Sequence, residues 1–404
     1  NFLLDEKIDK MNYEIKSNDD KYNFKSQIEL NNIPLQIKLL NYTKKESKNA
    51  LLNIEGSYKK NQNIYFKNIL LKEFKNSFKV NGLSLSQNYK VNSIEEIYLD
   101  FLNDNEKKNK VLFKRNKKNY ELSGKIFDGT NLVNQILESD SEGNVFDFLN
   151  DFNSVVKISL NKIFIDDINY LNNLNGNLKF NKSSLKNLDL KANFSDNKSL
   201  TFTVKTDQNN QKITTLFSEY AKPLVKKYKF IKGFEEGYLD FYSVKKNNIS
   251  SSNLKINDFK LNELPALTKI LTLASLQGIA DLLTGEGIRF NEFEMKFRNE
   301  KKLMTIDEIY AIGPAISIMM DGYVQKDELI SLRGTLVPAT TLNKIIGSLP
   351  LLGDILVGKK TGEGVFGVSF KIKGPPKKTK TTVNPIKTLT PRFITRTLEK
   401  IKKN

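Results

Sequence analysis

The 404-residue sequence contains no cysteine, no histidine and no tryptophan. Without cysteine there is no disulfide, no thiolate nucleophile and no thiolate metal ligand. Without histidine no imidazole can act as the base of a catalytic triad, and Cys/His zinc sites are excluded as well. Long hydrophobic runs are also missing. No stretch of about 20 residues is free of charge, as a membrane-crossing helix would need. The most apolar run, Leu264 to Leu283, is interrupted by Lys269, Gln277 and Asp281. The visible chain therefore reads as soluble or peripheral. It opens on Asn1, so a signal peptide or membrane anchor is expected upstream.

The chemistry left open is that of carboxylates, Ser-Lys pairs and oxygen-ligand metal sites. Three adjacent acidic pairs, Asp166-Asp167, Glu235-Glu236 and Glu95-Glu96, would point to opposite faces if they lie in strands. No enzymatic role, cofactor or metal is expected. The formal net charge of +18 invites a nucleic-acid or anionic-membrane reading. The charge is dispersed, however, and the tight clusters are Lys377, Lys378 and Lys380 and the tail Lys400, Lys402 and Lys403. No zinc-finger spacing or aromatic RNA-binding signature accompanies it, so nucleic acid is not an expected partner.

The dominant pattern is alternation with period two. Phe293, Met295 and Phe297 are separated by charged residues, and Leu188, Leu190, Ala192 and Phe194 alternate with Asp189, Lys191 and Asn193. Phe366, Val368, Phe370 and Ile372 alternate with Gly367, Ser369 and Lys371, and Leu200, Phe202 and Val204 with Thr201 and Thr203. Shorter versions occur at Leu239/Phe241, Leu254/Ile256 and Ile316/Ile318/Met320. Such alternation places apolar side chains on one face of a sheet. Asn172 to Gly176, Ser195 to Lys198 and Asp321-Gly322 read as hairpin turns. Many hairpins in series predict a long antiparallel sheet with one wet and one dry face.

Helices are expected at Asn131 to Phe152, Thr214 to Phe230, Glu263 to Leu283 and Thr341 to Val357. The last two are apolar nearly all round and read as capping helices, with Leu267, Ile270, Leu271, Leu276, Ile279, Ile345 and Ile346 as candidate contacts. Pro391 to Asn404 reads as a basic amphipathic helix, a membrane-surface candidate through Arg392, Phe393, Arg396 and Lys400.

From about Leu254 to Phe393 several short runs recur in order: Asn257-Asp258-Phe259, Leu264-Pro265-Ala266-Leu267, Leu283-Thr284-Gly285-Glu286-Gly287-Ile288, Leu332-Arg333-Gly334-Thr335-Leu336-Val337-Pro338-Ala339, Leu349-Pro350-Leu351-Leu352-Gly353 and Leu389-Thr390-Pro391-Arg392-Phe393. This stretch resembles the C-terminal region of AsmA-like proteins, most closely the YhdP branch with its DUF3971 segment. The sequence departs from that pattern at Pro376 to Lys380, which replaces an Asp-Pro pair. The resemblance implies a periplasmic protein anchored in the inner membrane, with an apolar β-taco that passes phospholipid to the outer membrane and supports its barrier.

The fold expected is mainly β with interspersed helices: an elongated, curled antiparallel sheet forming a groove, capped by apolar helices near the C-terminus. The segments expected are 1–130, a β-rich groove; 131–253, helix-interrupted β repeats; and 254–404, the AsmA-like C-terminal domain with a basic tail. Candidate groove residues are Leu188, Leu190, Phe202, Val204, Phe293, Met295, Phe297, Ile316, Ile318, Phe366, Val368 and Phe370. The expected partners are phospholipid, the inner and outer membranes and other envelope proteins. The alternative is a non-catalytic envelope scaffold that binds partner proteins.

Overall fold

The alternating segments form strands. The computed structural model describes residues 10–18, 20–46, 48–131, 148–225, 232–263, 265–273, 285–338, 367–376 and 378–386. Among these residues the chain is mainly β, with twenty-two strands in one mixed sheet that does not close on itself. The chain divides into two units, Asn1–Thr206 and Asp207–Asn404. The expected boundary at 130/131 falls between two strands of the first unit, and that at 253/254 falls inside a strand of the second.

The first unit contains β1 (Met11–Asn18), β2 (Lys21–Glu29), β3 (Leu35–Ile37), β4 (Tyr42–Lys44), β5 (Leu51–Lys59), β6 (Ile64–Glu73), β7 (Asn76–Leu85), β8 (Val91–Ser93), β9 (Glu96–Leu102), β10 (Lys108–Asn116) and β11 (Asn119–Asp128). It continues through β12 (Val155–Phe164), β13 (Tyr170–Asn181), β14 (Ser184–Asn193) and β15 (Ser199–Thr206). The ladder runs β1-β2-β5-β6-β7-β9-β10-β11-β12-β13-β14-β15. β3 and β4 form a hairpin of their own between β2 and β5.

The purely antiparallel expectation fails at one step, because β11 and β12 pair in parallel. Parallel neighbours need a connection that recrosses the sheet, a dozen residues or more, and here it runs from Gly129 to Ser154. Of the helix expected at Asn131 to Phe152, residues 132–147 lie outside the described residues. Its end is not helical: the Val91 amide donates to the Phe148 carbonyl at 2.8 Å, and the Asn150 amide to the Val91 carbonyl at 2.8 Å.

In the second unit are β16 (Lys212–Ser218), β17 (Lys232–Lys246), β18 (Ile249–Glu263), β19 (Ile288–Glu300), β20 (Leu303–Ile312), β21 (Ile316–Gln325), β22 (Leu329–Pro338), β23 (Gly367–Gly374) and β24 (Lys380–Ile386). Each pairs antiparallel with the next. Among the described residues two helices interrupt them: α1, a single turn at Lys222–Val225, and α2 at Pro265–Leu273. The helix expected at Thr214 to Phe230 is therefore mostly absent from the described residues. Its first part is β16, where the β-branched run Ile213-Thr214-Thr215 favours an extended chain. The stretch Thr341 to Val357 lies outside the described residues, as do Leu276 and Ile279.

Two of the expected turns are bulges or glycine sites inside strands. Asn172 to Gly176 lies within β13, where the register to β14 shifts between Asn172 and Asn175 and Asn173 takes φ 53°. Asp321-Gly322 lies within β21, with Asp321 bonded to Arg333 of β22 at 2.8 Å. Glycine is required at both positions, since a Cβ on Gly176 would overlap the Asp189 carbonyl oxygen and one on Gly322 the Ser331 carbonyl oxygen. Ser195 to Lys198 is a turn as expected, joining β14 to β15 with Asn197 at φ 64°.

Replacing Gly176 by alanine should force the β13–β14 ladder apart and lower stability by about 2 kcal/mol. Urea denaturation checks this; a midpoint equal to that of the parent would remove the close approach as a constraint.

Candidate functional site

Cross-strand register converts the sequence alternation into rows of apolar side chains that run perpendicular to the strands. In the first unit one row reads Ile54, Ile69, Val80, Ile97, Phe113, Leu122, Ile158, Gly176, Leu190 and Phe202. Most of its members are only half-buried, and Ile158 is buried. Leu188 and Val204 sit opposite each other in a neighbouring row and are buried.

Burial is graded along β6, β7, β9 and β10. At one strand end Leu71, Phe78, Phe101 and Val111 are buried; toward the other, Phe66, Leu83, Ile97 and Phe113 are half-buried. The cause is a cover made by the chain between β2 and β5. Leu30, Tyr42 and Ala50 from this segment join Leu71, Phe78 and Phe101 in one cluster. The Tyr42 ring lies 4.5 Å from Phe78 and 5.7 Å from Phe101, centroid to centroid.

Polar contacts lock the cover in place. The Tyr42 hydroxyl donates to the buried Glu73 carboxylate, which also accepts from the Asn76 amide at 2.9 Å. Lys44 is fully buried and donates to the carbonyls of Asn31 and Ile33, at 3.0 and 2.8 Å. The Thr43 amide and hydroxyl both donate to Asp104, at 2.8 and 2.7 Å. Burial raises the Tyr42 phenol well above its ordinary range, and the facing Glu73 carboxylate adds to the shift.

In the second unit a row reads Leu239, Ile256, Phe293, Ala311, Ile318, Leu336 and Val368, and a second reads Phe241, Leu254, Met295, Ile309, Met320, Gly334 and Phe370. A third includes Phe297, Ile306, Gly322, Leu332 and Ile372. Burial is graded here too. Leu267, Ile270 and Leu271 of α2 are buried in one cluster with Phe234, Phe259, Ile288, Phe290 and Phe370. The rings of Phe234, Phe259 and Phe290 stack at 5.2 and 5.3 Å.

The candidate residues thus divide. Phe293, Met295 and Phe297 are half-buried, whereas Ile316, Ile318, Val368 and Phe370 are buried. Register brings Phe293, Ile318 and Val368 into one row and Met295 and Phe370 into another. Phe366, Ile345, Ile346, Arg392, Phe393, Arg396 and Lys400 lie outside the described residues.

The polar face is not uniformly wet, contrary to the simple alternation. Glu294, between Phe293 and Met295, is 5% exposed and lies 3.9 Å from Lys255 and 3.8 Å from Lys296. Glu308 and Tyr310 are buried as well. The acidic pairs do not converge on a site. Asp166 anchors the turn after β12 by accepting the amides of Ile168 and Asn169 at 2.8 and 2.6 Å. Glu236 is bonded to Arg289 at 2.9 Å, and Glu95 to Arg115 at 2.6 Å. Among the described residues no group of three or more acidic side chains is placed to hold a metal ion, and no helix is long and apolar enough to cross a membrane.

The Tyr42 cover carried no alternation or motif that marked it in the sequence. Its only signal is a lone Tyr-Thr-Lys run between two strands. Comparison of the chain with protein-family models, curated proteins and solved structures gives no match.

Because the folded-state pKa of Tyr42 is raised, its contribution to stability is complete below about pH 10, where the phenol of the unfolded chain ionises, and is lost as pH rises further. Tyr42→Phe should cost about 1–2 kcal/mol at neutral pH by removing a donor to a buried carboxylate. It should also shrink the fall in the urea midpoint between neutral pH and about pH 10.5. An equal alkaline fall in parent and variant would show that this phenol is not the group being titrated.

Proposed function

We propose that the chain is a lipid carrier of the AsmA-like type, which moves phospholipid between the inner and outer membranes and supports the outer-membrane barrier. In this reading it is a non-catalytic periplasmic protein, and each unit curls its sheet around an apolar face that holds acyl chains. The observation carrying the proposal is the row from Ile54 to Phe202, kept in register across ten strands, in which all the apolar side chains but Ile158 are half-buried. A closed sandwich would bury such a row completely. An open groove leaves it half covered.

Two further features support the reading. In the second unit α2 follows β18 yet packs on β24. Six strand spacings separate β18 from β24, about 29 Å on a flat sheet, whereas nine helical residues span about 13.5 Å. A curled sheet brings its far strand within reach of that helix. The helix then acts as a cap, as does the Tyr42 segment in the first unit. The energetics also fit. An acyl chain resists crossing water by about 0.8 kcal/mol per CH₂, and a continuous apolar face offsets this without a nucleophile, metal or imidazole.

A second reading, an assembly factor that holds envelope proteins, is favoured by β1. Among the described residues β1 pairs with β2 alone, and its Tyr13 and Ile15 are 69% and 59% exposed. An open strand edge of this kind can accept a strand from a partner.

Lipid extraction and native mass spectrometry of the purified chain should recover phospholipid. Ile97→Glu and Phe297→Glu, at half-buried positions, should fold and lose the lipid. Leu336→Glu, at a fully buried position, should unfold the second unit, at a cost above about 4 kcal/mol. A folded chain that stays lipid-free after incubation with vesicles would turn the assignment to the assembly factor.

A further inference from the structure

The open end of the apolar face in the first unit terminates in a row of turns with one dominant charge. Lys21 opens β2, Lys59 and Lys60 enter the β5–β6 turn, and Lys117 and Lys118 form the β10–β11 turn. All five are exposed. The turns are neighbours: the Gln87 side-chain amide, after β7, donates to the Asn61 carbonyl at 2.5 Å, and the Arg115 amide donates to the Glu95 carbonyl at 2.8 Å. Among the described residues the carboxylates in these turns are Asp20 and Glu95, and Glu95 is paired with Arg115. None of the five lysines pairs with a carboxylate among the described residues.

Lys21 stands directly opposite Lys59 in the β2–β5 ladder. Like charges in that arrangement repel and destabilise the pair, and no carboxylate among the described residues forms an ion pair with either lysine. One step further in, Tyr22 faces Tyr58, and both rings are partly exposed on the apolar side of the sheet. Beyond them come Phe24 and Phe66, 5.9 Å apart and half-buried. Alternation turns Lys21 and Lys59 to the face opposite these rings, so the cations placed beyond the rings are those of the turns, Lys60, Lys117 and Lys118, with the amphipathic rings and then the apolar side chains inward of them. Tyrosine takes the same intermediate position at membrane interfaces.

We infer that this rim binds the phosphate of an anionic glycerophospholipid whose acyl chains lie on the apolar rows of β2 to β10. The inference rests on the lipid-carrying reading and adds a headgroup preference to it. The opposite strand end does not offer such a site, because the Tyr42 segment covers it.

The test measures binding of phosphatidylglycerol and phosphatidylcholine with identical acyl chains to the full chain at low salt. The parent should prefer phosphatidylglycerol by about tenfold, the scale of several exposed charge contacts. The combined variant Lys59→Gln, Lys60→Gln, Lys117→Gln and Lys118→Gln should lose the preference, its phosphatidylglycerol affinity falling further than its phosphatidylcholine affinity until the two are equal. A control removes the same charge from the polar face of β12 to β15, with Lys157, Lys179, Lys191 and Lys205 each changed to Gln, and should keep the preference. Absence of a preference in the parent, its survival in the rim variant, or its equal loss in the control would each overturn the inference. Phosphatidylcholine bound without discrimination would leave the acyl-binding face standing, whereas failure to bind either lipid would remove both.

Discussion

Everything in this protein depends on keeping one parity of side chains on one side of the sheet. A strand side chain changes face at every residue, so a slip of one position would turn an entire apolar set into solvent. Twenty-two strands multiply that risk. The defence is redundancy. Most strands are held by two neighbours whose apolar positions fall in the same rows, and slipping β19 by one residue would place Glu292 or Glu294 between Ile256 and Ala311.

Where parity does change, it changes in adjacent strands at the same level. In β17 the apolar positions pass from Phe234 to Leu239, in β18 from Ile256 to Phe259, and in β19 from Phe290 to Phe293. Glu236, Gly237 and Asp258 take left-handed conformations there, with φ of 62°, 75° and 51°. These left-handed residues turn the following side chains to the other face while the register is kept. Matched left-handed residues in the neighbouring strands β17 and β18 keep the stacked rings of Phe234, Phe259 and Phe290 on the side occupied by α2. The conserved quantity is the face, not the sequence period.

This explains which parts of the fold were legible. Uninterrupted alternation, as in Phe293-Met295-Phe297 or Leu188-Leu190-Ala192, marks a strand and its inward face without ambiguity. Gly176 and Gly322 misled because glycine signals a turn and a tight interstrand approach equally well. Thr214 to Ser218 was masked by the helix-like pattern around it, although its β-branched residues agree with a strand. The parallel step between β11 and β12 leaves no local trace, since pairing direction is a long-range property. The Tyr42 cover was illegible for a related reason: its ring, its hydroxyl and the carboxylate it meets come from segments that register alone brings together. At the candidate site, alternation identified the right face but not the degree of cover, so buried Ile316 and half-buried Phe297 read alike.

The succession of pairings also has a temporal meaning. Nearly every strand pairs with one adjacent to it in sequence, so the loops to be closed are short and their entropic cost is small. A chain emerging from the ribosome can therefore add each new strand to an edge that already exists, and the growing end is always a template. The steps from Glu263 to Ile288, from Pro338 to Gly367 and from Asp128 to Val155 are longer, and the last of these joins a parallel pair. Until those intervening residues have emerged, β11 remains an unextended edge, and the nascent chain waits there with its hydrogen-bonding groups unpaired.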